Sequence, residues 1–117
     1  MTRAFGGDKM VTESILTSIK KVLGIAEDYL HFDDDIILQI NSAFSTLTQL
    51  GVGPEEGFYI TDSSTTWGEF IDDPRLNFAK TYVQIKVKLM FDPPTSSALI
   101  ESYNRQLDEL TWRLSVT

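Results

Sequence analysis

Side chains that could carry out chemistry are few and scattered in this sequence of 117 residues. The one histidine, His31, stands between Leu30 and Phe32, with no carboxylate or second imidazole at a helical metal-ligand spacing. We therefore expect His31 to be structural or simply exposed. The sequence contains no cysteine, which excludes disulfides, thiolate metal sites and cysteine nucleophiles.

Three further motifs each favour a structural interpretation over a chemical one. The acidic run Asp33–Asp35 lacks the spaced oxygen ligands and central glycine of a calcium loop, and it suits the start of a helix. Gly51–Pro54 is not followed by a phosphate-binding lysine, and it suits a helix stop and turn. The hydroxyl groups of Ser63–Thr66 have no credible base nearby. We assign no catalytic, cofactor-binding or metal-binding residue and predict that the chain is not an enzyme.

Length and composition indicate a single globular domain. The hydrophobic fraction is 42% and the charged fraction 23%, which is typical of a folded chain. The 17 acidic residues outnumber the 10 Lys and Arg, giving a net charge of −7 that disfavours wrapping of nucleic acid. No apolar run approaches the roughly 20 residues needed to cross a bilayer, so we predict no membrane partner and synthesis in the cytoplasm.

Apolar spacing predicts two helices in the first half of the chain, after a flexible arm at residues 1–11. The first is expected to begin at a Thr12 cap and to end at Gly24, and the second to begin at an Asp33 cap and to end at Gly51. Between them, Tyr29, Leu30 and Phe32 are expected to cover the helix pair. The second helix carries the stronger apolar stripe, formed by Ile36, Ile37, Ile40, Ala43, Phe44, Leu47 and Leu50.

A long polar loop is predicted from Gly51 to Thr66, because Gly, Pro, Ser, Thr and acidic residues dominate there. Only Phe58, Tyr59 and Ile60 in it are suited to burial, and loops of this length in small domains are usually functional or mobile. A short helical turn capped by Thr65 or Thr66 follows, and it is broken at Asp72-Asp73-Pro74.

Local rules conflict over residues 75–91. Val83, Ile85, Val87, Leu89 and Phe91 alternate as in a half-buried strand, yet the same stretch also forms wide apolar helical stripes. We favour a helix, because no second convincing strand exists to pair with this one. Its lysines, Lys80, Lys86 and Lys88, and the pair Lys20-Lys21 are expected to lie on solvated faces.

The last helix is predicted to follow the Asp92-Pro93-Pro94 break, with Thr95 or Ser96 as its cap. Its apolar residues recur at three- and four-residue spacing, as in a seam between two helices: Ile100, Tyr103, Leu107, Leu110 and Leu114. Trp112 falls off that seam and is expected to be exposed unless a partner or another helix covers it. The fold class is therefore all-α, a small bundle of four to five helices with a long loop and an extended C-terminal helix.

These elements, taken in order, resemble the head-tail connector (head completion) proteins of long-tailed bacteriophages, the adaptors beneath the portal. The resemblance extends over roughly Met10 to Thr117, so that residues 12–117 form a helical connector domain. It is carried by the short helix pair before Asp33–Asp35, Gly51–Pro54, Phe58, Thr66–Phe70, Lys80–Pro94, Ser96, Tyr103, Gln106, Leu107, Glu109, Leu110, Trp112 and Arg113.

The resemblance implies a virion protein of the phage neck that forms a dodecameric ring on the portal protein. Genomic DNA would pass through its lumen without sequence-specific binding, and a head-closure (stopper) protein would follow it. The C-terminal helix commonly reaches the portal in such proteins, which makes its seam residues and Trp112 candidate portal or subunit contacts. Phe58, Tyr59 and Ile60 are candidates for the next neck component, and no cofactor is implied.

A small helical DNA-binding or regulatory module is the alternative, with the first two helices as a helix-turn-helix. Lys20 and Lys21 are the only cations in that pair, and Asp33–Asp35 stand where a recognition helix would approach phosphates. The sequence therefore favours the connector.

Overall fold

The computed structural model describes residues 11–115, and that part of the chain folds into helices without any strand. This confirms the all-α prediction. The predicted arm, residues 1–11, lies outside the described residues except for Val11, which is partly buried against the core. The helices are α1, Ile15–Val22; α2, Asp33–Gln49; α3, Trp67–Phe70; α4, Leu76–Phe91; and α5, Ser97–Ser115.

Helix α4 lies at the centre of the fold and packs against α1, α2 and α5. Its apolar residues are covered on several sides, and Ala79, Val83 and Val87 are fully buried. This explains why α4 alternates like a strand: a central helix carries apolar residues around most of its circumference. Helices α4 and α5 form a hairpin because Asp92-Pro93-Pro94 ends α4 at Phe91, as predicted, and the Ser96 hydroxyl then accepts the Leu99 N–H at 3.2 Å.

Helix α1 begins two residues later than expected. The Ser14 hydroxyl, not Thr12, accepts a backbone N–H of the first turn, that of Thr17 at 3.2 Å. Ser14 lies in extended conformation and pairs with Thr66, which ties the start of α1 to the start of α3. The predicted stop at Gly24 is confirmed by its positive φ of 77°.

The start of α2 corrects the role predicted for Asp33. Phe32 occupies the capping position without a side-chain cap, and Asp33 is the first helical residue. Its carboxylate instead contacts the Lys20 ammonium at 2.7 Å, which joins α1 to α2. Asp34 and Asp35 remain in the first turn, where negative charge favours the positive end of the helix dipole.

Helix α3 is one turn long and is fixed by its cap and by a tryptophan. The Glu69 carboxylate accepts the Thr66 backbone N–H at 2.9 Å, which confirms the predicted Thr66 cap as part of a reciprocal box. The indole N–H of the fully buried Trp67 donates to the Ser18 hydroxyl at 2.9 Å. This bond satisfies the one polar atom of the largest side chain in the core.

Three helices meet at a buried hydroxyl. Tyr82 of α4 is 4% exposed, and its hydroxyl hydrogen bonds with Thr46 of α2 and Thr111 of α5. Burial raises the pKa of Tyr82, and the two threonine bonds act in the opposite direction.

None of the helices in residues 11–115 combines the length and apolarity that a bilayer crossing requires.

Candidate interaction surfaces

The C-terminal seam is an intramolecular contact in the single chain. Leu107, Leu110 and Leu114 are 9%, 9% and 2% exposed in the core that α5 forms with α4, while Ile100 and Tyr103 are partly buried. The three leucines among the candidate portal or subunit contacts are therefore already covered within the single chain. They supply the packing energy that fixes α5 on α4, at about 1.5–3 kcal/mol for each fully buried side chain.

Trp112 stands on the opposite side of α5 and is 64% exposed, which confirms its predicted exposure. Helical spacing places Arg105 and Asp108 on the same face. Arg113 pairs with Glu109 at 2.9 Å, and its guanidinium lies 5.6 Å from the Phe78 ring of α4. We call the surface formed by Arg105, Asp108, Trp112 and Arg113 the Trp112 face. A shallow groove between α4 and α5 adjoins it, lined by Phe78, Thr81, Gln106, Glu109, Leu110 and Arg113.

The long loop, residues 51–66, is pinned to the helices through its apolar residues. Ile60 is 2% exposed, and its backbone N–H and carbonyl both bond the Asn41 side chain of α2, at 2.8 and 2.9 Å. Phe58 packs edge-on against Phe44 with ring centroids 5.1 Å apart. Only Tyr59 of the three candidate contact residues projects outward, at 70% exposure.

Gly53 fixes the path of the same loop. Its φ is +87°, and a Cβ at this position would collide with the Phe70 ring. Both the backbone conformation and the close approach therefore require glycine. The polar tip of the loop is held by Asp62, whose carboxylate accepts the Ser64 N–H at 2.8 Å and the Ser64 hydroxyl. These bonds keep the pKa of Asp62 below its ordinary value of 3.8.

In the segment between α1 and α2, residues 25–32, the predicted cover over the helix pair is confirmed for Phe32 and wrong for Tyr29 and Leu30. Tyr29 and Leu30 are 50% and 67% exposed instead of covering the helix pair, and only Phe32 turns inward. Phe32 packs edge-on against Phe91 at the end of α4, with centroids 5.3 Å apart. His31 is exposed and its ring lies 4.8 Å from that of Phe32. We call this segment the aromatic loop.

Lys20 holds the aromatic loop and corrects the prediction of a solvated lysine pair. Its side chain is 2% exposed, whereas Lys21 is exposed. The Lys20 ammonium donates to the carbonyls of Glu27 and Tyr29, at 3.0 and 2.8 Å, in addition to its contact with Asp33. Two carbonyls thus accept hydrogen bonds from the ammonium and the Asp33 carboxylate balances its charge, which together permit its burial.

The lysines of α4 lie among carboxylates and do not form a free cationic strip. Lys80 pairs with Glu13 at 2.6 Å and Lys88 with Asp92 at 3.0 Å, while the Lys86 ammonium lies over the Tyr82 ring. Of the eight Lys and Arg in residues 11–115, six contact a carboxylate. No group of three His, Cys, Asp or Glu able to hold a metal ion occurs in the described part of the chain.

Sequence reasoning thus found Trp112 and missed the aromatic loop. The signal available was composition: Tyr29 and Leu30 stand between the acidic pairs Glu27-Asp28 and Asp34-Asp35. Carboxylates on both sides keep a short segment at the surface, because an unpaired charge is costly to bury.

Comparison with known proteins gives one match. A family model described as phage connector protein matches residues 15–117, which includes helices α1 to α5 as described above. No curated protein and no solved structure matches the chain significantly.

Proposed function

The chain belongs to the phage connector protein family, and from that premise we propose that it is the adaptor of the phage neck that binds beneath the portal protein. Members of this family are structural components of the phage particle. In this role, copies of the chain form a dodecameric ring, extend the DNA channel and provide the platform for the head-closure (stopper) protein and the tail. The chain acts through contacts and not through bond chemistry.

The exposed Trp112 is the observation that carries the portal contact. Trp112 is 64% exposed on a helix that is already fixed by buried leucines. Its exposed apolar area therefore contributes little to the stability of the fold. Tryptophan and arginine are the residues most enriched among those that dominate binding energy, and both stand together on the Trp112 face. Ile100 and Tyr103 are only partly buried, but they lie with the buried leucines on the other side of α5, so they remain candidate subunit contacts apart from this surface.

The three buried leucines are better regarded as support for this surface than as its contacts. Leu107, Leu110 and Leu114 remain predicted interface residues only if α5 separates from α4 on binding. Replacing them by Asp would unfold the α4–α5 hairpin in any case, because a charge in an apolar contact has no compensating partner. Trp112 is therefore the position at which the portal contact can be tested without loss of the fold.

Net charge supports passage of DNA in preference to binding of DNA. The chain carries a charge of −7, and in residues 11–115 only Lys21 and Lys86 lack a carboxylate partner. An acidic lumen repels phosphates and lets a duplex slide. The alternative helix-turn-helix module is disfavoured because Lys20 is buried, which leaves Lys21 as the exposed cation of α1 and α2.

Native mass measurement of the chain with and without the portal protein of the same phage tests the proposal. We expect the wild-type chain to join the portal as a ring of twelve copies. Trp112→Ala should weaken that binding about 30-fold, the effect of losing a residue that dominates an interface. Tyr59→Ala, at a similarly exposed aromatic on the long loop, is the matched control and should leave portal binding unchanged.

Two results would count against the proposal. A wild-type chain that forms no complex with the portal contradicts the adaptor role, and tight binding of duplex DNA in a low-salt filter assay favours the regulatory module. Equal portal binding by Trp112→Ala and wild type would instead remove only the Trp112 face from the contact.

A further inference from the structure

The aromatic loop exposes connected apolar side chains. Tyr29 and Leu30 are 50% and 67% exposed, and the ring of His31 lies beside both aromatic neighbours. The Tyr29 and Phe32 centroids are 5.8 Å apart, and Phe32 in turn contacts Phe91, so the exposed rings continue into the core. The exposed side chains of the loop are therefore supported from beneath by packed aromatic rings.

The loop is held in one conformation before any partner arrives. The Lys20 ammonium binds two of its carbonyls, and the Lys20 carbonyl accepts the Ile25 N–H at 2.9 Å. A further bond from the Tyr29 N–H to the Ala26 carbonyl, at 3.1 Å, closes a turn inside the loop. A prearranged surface loses little conformational entropy on binding, which favours affinity.

Charge identifies the chemistry of the partner. Glu27, Asp28, Asp34 and Asp35 flank the exposed side chains, and each lacks an ion-pair partner in the described part of the chain. In residues 11–115 only Lys21 and Lys86 lack a carboxylate partner, so a second copy of this chain offers no cluster of free cations to meet these carboxylates. Like charges in an interface repel, so the complementary surface belongs to a different protein that carries Lys or Arg around an apolar socket.

Position separates the aromatic loop from the Trp112 face. The loop rests on Phe91 at the last residue of α4, whereas Arg113 of the Trp112 face lies over Phe78 near its first turn. Thirteen residues of helix separate these two positions, about 20 Å along the axis. The two surfaces lie at opposite ends of α4 and can be occupied at the same time.

We propose that the aromatic loop is the docking surface for the neck component on the side away from the portal. That component has an apolar pocket, rimmed by Lys or Arg, that receives Tyr29 and Leu30. The identity of that partner rests on the proposed function, since the portal is placed there at the Trp112 face. Lys20 is a positioning residue of this surface, and the four flanking carboxylates steer the partner toward it.

The experiment measures binding kinetics of the purified chain with the head-closure protein of the same phage, and separately with the portal. Leu30→Asp should raise the dissociation rate of the head-closure complex about 30-fold, as expected for a central contact. Leu38→Asp is the matched control, because Leu38 is an equally exposed leucine, at 70%, on α2. It should change the rate less than about twofold, and both variants should keep the helical signal of wild type.

A second pair of variants tests the charges. Asp34→Asn with Asp35→Asn should lower the association rate about tenfold at low salt and flatten its salt dependence, with little change in dissociation. Asp72→Asn, at an exposed carboxylate outside both proposed surfaces, should leave both rates unchanged.

The outcomes separate this inference from the proposed function. Equal head-closure binding by Leu30→Asp and wild type, or equal loss in Leu30→Asp and Leu38→Asp, overturns the docking surface and leaves the adaptor role intact. Self-association that Leu30→Asp abolishes would overturn it too, by assigning the loop to a second copy. Failure of the wild-type chain to bind either the portal or the head-closure protein refutes the proposed function, and this inference with it.

Discussion

The two irregular segments of the molecule, the long loop and the aromatic loop, contrast in how they are held. The long loop turns its apolar residues inward, with Ile60 buried and pinned by Asn41. The aromatic loop turns Tyr29 and Leu30 outward and is held from beneath by a buried charge, Lys20. The aromatic loop is fixed mainly through its backbone carbonyls and keeps Tyr29 and Leu30 free for a partner, whereas the long loop also buries its own apolar side chains and exposes only Tyr59 of the three candidate contacts.

Removing the buried charge should have the largest effect on this contrast. Lys20→Ala leaves Asp33 and two loop carbonyls without their partner, so we expect the free energy of unfolding to fall by about 4 kcal/mol. Urea unfolding followed by circular dichroism measures the change. Lys21→Ala, at the exposed neighbour, should change stability by less than about 0.5 kcal/mol. Similar losses in both variants would contradict the role given to Lys20.

Removing the buried side chain of the long loop should cost somewhat less. Ile60→Ala deletes methyl groups from a packed site and should lower stability by about 3 kcal/mol. Tyr59→Ala, one residue earlier but 70% exposed, should cost less than about 0.5 kcal/mol.

Hydrogen exchange of single amides would locate the two effects. Ile60→Ala should speed exchange in residues 51–66, and a Lys20→Met variant, which keeps the chain length, should speed it in residues 25–32. Exchange that rises equally in both segments for either variant would show that they are one cooperative unit and that the contrast is false.

The smallest expected effect concerns the polar tip of the long loop. The Ser64 hydroxyl and N–H lower the pKa of Asp62, so its contribution to stability is present above pH 3.8 and is lost as the pH falls through the lowered value. Ser64→Ala should raise the pKa of Asp62 back toward 3.8, which carboxyl chemical shifts in an acid titration would report. An unchanged pKa in this variant would assign the shift to the backbone N–H alone.

Sequence patterns predicted the helices well and the side-chain directions in the loops poorly. Local residue chemistry determines three features that were predicted correctly: the stop at Gly24, the Thr66 cap and the proline break after Phe91. The choice of helix for α4 required a non-local argument, the lack of a partner strand, and the structure confirms it.

The misassigned residues depend on distant partners. Asp33 has the local sequence context of a helix cap, but its carboxylate forms an ion pair with Lys20, thirteen residues earlier. Tyr29 and Leu30 resemble core residues, but the carbonyls of the same loop are bound to a lysine that sequence rules place on the surface. The burial of Leu107 and Leu110 likewise depends on how α5 folds back onto α4 after the prolines.

The two tryptophans of the chain occupy opposite environments, one fully buried and the other largely in solvent. Indole emission shifts to longer wavelength in water and to shorter wavelength when water is removed. Unfolding therefore moves the emission of Trp67 toward the red, while coverage of Trp112 moves its emission toward the blue. The two tryptophans thus report on different events in one emission spectrum. Loss of the fold shifts the emission maximum to longer wavelength, and binding of a partner over Trp112 shifts it to shorter wavelength.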